Sequence, residues 1–296
     1  MEINRTVILD TFAEAFPVWV SRIIITADTK VWARAAAVEA TGFATSKIGC
    51  PCEAGIEREI PENETPDNRP GVAILICAEK KNMKANVAAR VSQCVLPAPT
   101  AGAFDGLPDA ASRFGIRMHY FGDGYEKRCV IGGRNCWKIP VMEGYYIGEE
   151  RFGTVKGIAG GNFLVMGADQ PSALAAADAG AGAVAGTEGV ITSFAGGIVR
   201  SGSKVGSRNY RFPMPASTNE RLCPALKKTI PDSLVPDGVG SVYEIVMNGV
   251  DAAEVKKAMK TGIRAAANSG RASHIGASNF DGKLGPYRIR LHDLFR

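Results

Sequence analysis

The most chemically suggestive feature of this 296-residue sequence is a carboxylate inside an apolar run. In Val242-Tyr243-Glu244-Ile245-Val246-Met247, a period of two puts Glu244 on the face shared by Val242 and Val246. Such a group is either solvated or enclosed. Enclosure penalises the anion and raises the pKa. Lifting it from about 4.3 past 7 costs roughly 4 kcal/mol. A carboxylic acid kept neutral in this way donates a hydrogen bond at neutral pH, as a general acid or to a developing oxyanion. Other carboxylates compete. Glu14 lies in Thr11-Phe12-Ala13-Glu14-Ala15-Phe16-Pro17, Glu53 and Glu57 follow Cys50-Pro51-Cys52, and Asp123 sits between two glycines in a turn-like stretch. For each of these a structural role is the simpler reading.

A second feature is the segment Gly197-Ile198-Val199-Arg200-Ser201-Gly202-Ser203-Lys204. It is not a Walker loop, because the serine precedes the lysine. Its exposed N–H groups, with Arg200, Lys204 and Arg208, are suited to a carboxylate or phosphate; the competing reading is a mobile polar loop. Gly180, Gly182 and Gly186 imitate a dinucleotide fingerprint, but they fall within a helix instead of opening one, which excludes the Rossmann turn. No G-x-S-x-G elbow is present, nor an aromatic RNA-binding strand. The seven cysteines form no C-x-x-C pair and the three histidines no i, i+4 pair, so no metal site is expected and the thiols read as reduced.

Composition sets the frame for these groups. Hydrophobic residues are 46% and charged residues 22%, which describes a globular chain. The net charge of +5 permits an anionic ligand without implying nucleic acid. The polar start, Met1 to Arg5, lacks a signal core, and the apolar run Gly71 to Ala78 is too short to cross a bilayer; a cytoplasmic protein is expected.

Periodicity gives one strand-helix-strand unit four times. The first has a strand at 20–26, a helix at 28–41 closed by Gly42, and a strand near 47–50. The second has a strand at 72–77, a helix with Met83, Val87 and Val91 on one side, and a strand at 101–104. The third has a strand at 162–166, a helix capped by Asp169 with Leu174, Ala177, Ala181 and Val184 as its stripe, and a strand at 190–192. The fourth has the Glu244 strand, a helix opened by the capping box Asp251/Glu254 with Val255, Met259 and Ile263 buried, and a strand at 274–277. Paired βαβ units predict an α+β fold of two ferredoxin-like lobes with antiparallel sheets, 1–149 and 150–296. An extra hairpin over 117–146 turning at Gly132-Gly133, a long ordered insertion over 208–237 and a last strand at 287–291 complete the plan.

On these residues the chain resembles the formylmethanofuran:tetrahydromethanopterin formyltransferases over essentially its whole length. The matching segments are DTFAEAFP (10–17), EATGFATS (39–46), CPCEAGIE (50–57), FGDGYE (121–126), GIAGGNF (157–163), GGIVRSGSKVG (196–206), VYEIV (242–246) and GKLGPYRIRLHDLF (282–295). The resemblance implies two ferredoxin-like lobes, a homo-oligomer, often a tetramer, and no prosthetic group. It implies reversible formyl transfer between the amine of methanofuran and N5 of a (dephospho)tetrahydromethanopterin. Methanofuran would lie along an apolar cleft at a subunit interface and the pterin in a wider, shallower one. It places a protonated catalytic glutamate at Glu244. Candidate substrate-binding residues are then Gly196, Gly197, Arg200, Ser201, Ser203, Lys204 and Tyr243. Cys52, Ala195 and Arg200 depart from the pattern of methanogen members. With the basic balance, they point to the methylotrophic-bacterial branch, where the transferase is one subunit of a formyltransferase/hydrolase complex. The competing expectation is a non-catalytic scaffold or pterin-binding subunit of a larger complex.

Overall fold

Residues 1–200 and 202–296 are described by the computed structural model; the candidate Ser201 lies outside the described residues. The chain forms two compact units. A middle unit holds Val18–Gly157, and a terminal unit holds Met1–Pro17 with Ile158–Arg296.

In the middle unit the elements are β1 (Phe12–Thr26, which starts in the terminal unit), α1 (Lys30–Thr41), β2 (Glu53–Ile60), β3 (Gly71–Ala78), α2 (Lys80–Arg90) and β4 (Gly102–Asp105). Pairing is antiparallel throughout, in the order β4-β1-β3-β2, which is the ferredoxin-like order. Thr29 caps α1 by accepting from Trp32 N, and its inward face is the alanine set Ala33, Ala36, Ala37 and Ala40. These small side chains let the helix lie close on Ile23, Ile25, Ile74 and Ile76. Residues 47–50 are not a strand. Gly49 N and Cys50 N both donate back to Ser46 O, and Glu53 caps Lys47 N, so the chain turns there and pairs only from Glu53 onward. The hairpin Lys127–Ile131/Arg134–Val141 turns at Gly132 and Gly133, both at positive φ as its two-residue turn requires. A third strand, Gly144–Glu149, returns it to pair in parallel with β4.

The terminal unit repeats the plan with β5 (Arg151–Gly167, which starts in the middle unit), α3 (Gln170–Val184), β6 (Val190–Thr192), β7 (Ser241–Gly249), α4 (Ala252–Asn268) and β8 (His274–Gly276). Its order is β8-β5-β7-β6, again antiparallel. The α+β class with two ferredoxin-like lobes is therefore the fold observed. Residues 1–17 belong to this unit because Thr6–Ile8 pairs in parallel with β8 and Phe12–Ala15 pairs with Tyr287–Arg290.

Asp251 starts α4 by accepting from Ala253 N and Glu254 N, and Val255, Met259 and Ile263 are fully buried. Asp251→Ala is expected to remove about 1 kcal/mol of stability, read as a lower urea midpoint. On α3 the buried stripe is Ala173, Ala176, Ala177, Gly180, Ala181 and Val184, whereas Leu174 is exposed. Close approach of the helices explains that choice: a Cβ on Gly180 would lie 3.2 Å from Gly262 O, and one on Gly262 would lie 2.8 Å from Phe163 Cζ. Gly262→Ala is expected to cost about 1–3 kcal/mol through overpacking, measured in the same titration. Gly186 falls beyond the helix end, at φ 79°.

Candidate active site

Strand register fixes where Glu244 stands. It lies opposite Leu164 of β5, and Val246 lies opposite Asn162. Ile245 and Met247 are buried in the core that α3 and α4 cover. Alternation therefore projects Glu244 from the other face, with Val242 and Leu164. Its main chain forms a two-way bridge with Val199: Glu244 N donates to Val199 O at 2.9 Å, and Val199 N donates to Glu244 O at 2.8 Å. The bridge fixes the glycine-rich segment to the strand that carries the acid.

The insertion supplies a cover for this face. Leu222, Val235 and Val239 bury against Leu164 and Met166. Between insertion, segment and strand is a cavity of about 120 Å³, bounded by Leu164, Val199, Arg200, Gly202, Leu222 to Ala225, and Val242 to Glu244. It suits a group of formamide size and not a whole coenzyme. Glu244 is half-buried against it. Desolvation by the surrounding protein pushes its carboxyl up to about 7. The site thus offers a carboxylic acid that keeps a substantial protonated fraction near pH 7, with the Arg200 side of the segment beside it.

The other candidates divide. Arg200 and Tyr243 border the cavity, although the Tyr243 ring packs against the helix-side core. Gly196 turns the chain at φ 63° with open space around it, while a Cβ on Gly197 would meet Thr192 Oγ1 at 2.9 Å. Ser203 and Lys204 lie in a short hairpin, Ser203–Val205 with Ala216–Thr218. The Lys204 ammonium donates to Glu220, which Arg208 also grips at 2.8 Å. The hydrogen bond from Lys204 is the first cause holding the Glu220 carboxyl down to about 2. Lys204 is thus committed to Glu220 and does not border the Glu244 cavity. Sequence reasoning missed Leu164 and the wall Leu222–Ala225. Leu164 was available from the period of β5, but the insertion has no period to read.

The competing carboxylates have structural partners. Glu57 receives Arg22 Nε at 2.7 Å and Nη2 at 2.5 Å. Glu53 caps Lys47 N, and Asp123 takes a left-handed turn at φ 50°. Glu14 is buried and accepts four backbone N–H groups: Phe280 at 2.8 Å and Gly282 at 3.0 Å on Oε2, Leu284 and Gly285 (2.8 Å) on Oε1. Burial alone would raise its pKa, but the four donors outweigh burial and hold it below the usual range. The stability this gives is full above the unfolded carboxylate pKa and is lost as pH falls through the lower folded value. Amide exchange at Phe280 and Gly282 is expected to stay slow at neutral pH and to become fast in acid before global unfolding. Among the described residues no disulfide joins any of the seven cysteines, and no cluster of three His, Cys, Asp or Glu is placed to hold a metal. No helix among them is long and apolar enough to cross a membrane.

Duplicated split-βαβ lobes, with one carboxylic acid of raised pKa beside a small cavity, define a two-lobe α+β protein. Models of known families match nearly the whole chain: the formylmethanofuran-tetrahydromethanopterin formyltransferase model over residues 1–141, and that of its proximal lobe over 144–294. The chain belongs to this family. It is 52% identical to the formylmethanofuran–tetrahydromethanopterin formyltransferase of Methanocaldococcus jannaschii and 50% identical to that of Methanosarcina acetivorans, each over the full length of both chains. The Methanosarcina barkeri enzyme structure superposes with a TM-score of 0.96 at 49% identity, covering all of both chains. A chain of the formyltransferase/hydrolase complex of Methylorubrum extorquens, solved with methylofuran, gives 0.94 at 39% identity, over all of this chain and 99% of that one.

Proposed function

We propose that the chain transfers a formyl group reversibly between the amine of methanofuran and N5 of a tetrahydromethanopterin, with Glu244 as the acid. Full-length membership of the formyltransferase family supports the reaction. The observation that carries the mechanism is the near-neutral carboxyl on the wall of a cavity of formyl-amide size.

The acceptor amine attacks the formyl carbon, a C–N bond forms, and the carbonyl oxygen gains the displaced electron pair. Protonated Glu244 donates to that oxygen. Collapse re-forms the carbonyl and breaks the C–N bond to the departing carrier, and the proton shed by the attacking nitrogen ends on the leaving one. Atoms and charge balance with the two coenzymes alone as co-reactants. Much of the remaining rate comes from holding two large carriers in one geometry. Arg200, which borders the cavity between Val199 and Gly202, is the part of the glycine-rich segment that we assign to gripping substrate.

Likeness to the Methylorubrum complex supports a further reading: the chain works beside hydrolase subunits in methylotrophic one-carbon metabolism, running from formyl-pterin to formyl-methanofuran. A homo-oligomeric assembly, a tetramer, belongs to the same reading. The test is a spectroscopic assay of formyl exchange between the two purified coenzymes. Exchange at enzymatic rate is expected; a purified chain that binds a coenzyme without exchange would leave the scaffold account standing.

A further inference from the structure

Three of the segments that mark the family come together through one set of hydrogen bonds in the terminal unit. Glu14 belongs to DTFAEAFP, Asn162 to GIAGGNF, and residues 282–285 to GKLGPYRIRLHDLF. The loop that leaves β8 is held at two points. At its start, Ser278 N donates to Asn162 Oδ1 at 2.8 Å, and Asn162 Nδ2 donates to Ser278 O at 3.0 Å. Further along, the four N–H groups of Phe280, Gly282, Leu284 and Gly285 converge on the Glu14 carboxylate. Asp281 and Gly282 take positive φ to make that convergence possible. Leu284 stays exposed at the tip.

The register relates this loop to the acid. Leu164 pairs with Glu244 on one side and with Gly276 on the other, so the three form one row across the sheet on the same face. Two strand spacings separate Glu244 from Gly276, about 10 Å. Asn162 stands one pleat along on that face, opposite Val246. The cavity itself holds only a small group. The insertion covers Leu164, so a bulky carrier that delivers its formyl group there extends over the next row instead, where Val246 is only half-buried and which ends on the β8 side at Asn162 and the loop from Ser278 to Gly285.

We propose that the Ser278–Gly285 loop is a wall of the coenzyme site on the Glu244 face, and that Glu14 and Asn162 are positioning residues that hold it in place. This rests on the formyl-transfer reading above. Two carboxylate oxygens serving four donors leave no room for an amide. In Glu14→Gln the NH2 group faces two N–H groups whichever way it turns, and half of the loop is released. Asn162→Ala frees the other anchor.

The test measures calorimetric Kd values for methanofuran and for tetrahydromethanopterin, and kcat at saturation, on the full chain and three variants. Both Glu14→Gln and Asn162→Ala are expected to weaken the same one coenzyme by about tenfold, with kcat nearly unchanged, the pattern of lost uniform binding. Amide exchange at 280–285 reports that the loop has been freed. Asp251→Ala, a helix cap away from this loop, supplies a comparable loss of stability and is expected to leave both Kd values unchanged. A freed loop with both Kd values unaltered overturns the proposal, as does equal weakening in Asp251→Ala. Should the unaltered chain bind its coenzymes without exchanging formyl, the functional reading falls, and the same Kd comparison still decides the role of the loop.

Discussion

Glu244→Ala is expected to lower kcat by about 10²–10³-fold, the usual loss when one donor to a tetrahedral oxyanion is removed, with binding of both coenzymes retained. Glu244→Gln keeps an N–H donor in the same place and loses less. A glutamine variant as slow as alanine would instead assign Glu244 a proton-transfer step. The pH profile carries the same signature. Only the protonated form donates, so activity is expected to fall as pH rises through about 7. Stability moves in the same direction. Enclosure lifts the carboxyl from 4.5 to about 7, which sets about 3 kcal/mol against the charged form. Its favourable contribution is full below pH 4.5 and is lost as pH rises through the folded value. Glu244→Gln should therefore unfold later in urea than the unaltered chain at pH 8, by up to that amount, with the difference shrinking in acid. A variant that is slower yet harder to unfold in base is the outcome that distinguishes an enclosed acid from a solvated one.

Arg22→Met is expected to produce the second large effect, in the middle unit. The Glu57 side chain is 0% exposed, and the guanidinium of Arg22 grips it through two bonds. Removing the cation leaves a buried charge without that partner, which costs about 3–5 kcal/mol in comparable cases. The paired change Arg22→Met with Glu57→Gln removes the charge together with its partner. It is expected to recover much of the loss, and urea titrations of the single and double variants give the coupling directly. A double-variant loss equal to the sum of the Arg22→Met and Glu57→Gln losses would show that the pair carries no such coupling.

These two sites also show what a sequence discloses. Glu244 is visible because a charged residue interrupts a run of β-branched neighbours, and alternation names the residues that share its face. The fourth helix is visible because cap, stripe and stop agree: Asp251, then Val255, Met259 and Ile263, then Gly270. Near 47–50 the apolar content is too low to separate a strand from a turn, and the backbone hydrogen bonds to Ser46 decide it. Leu174 is read as buried because leucine is the larger apolar group, whereas the helix pair selects glycine and alanine for close approach. Lys204 illustrates a deeper limit. A cation in a glycine-rich stretch suggests an anion to bind, and nothing local reveals that Glu220 already provides one. The cavity wall at Leu222–Ala225 is hidden for a related reason: irregular chain carries no period, so its packing partners emerge only when the sheet is in place.

The two sides of the terminal sheet have separate duties. Packing that decides whether the unit folds lies under the helices, with Phe163, Ile245 and Ile263, while the acid and its enclosure occupy the reverse side. Substitutions at Arg200, Cys223 or Ala225 therefore change the lining of that cavity without entering the core under the helices. Divergence among relatives, and any attempt to redirect the enzyme to a new carrier, has a surface on which to work at little risk to the scaffold.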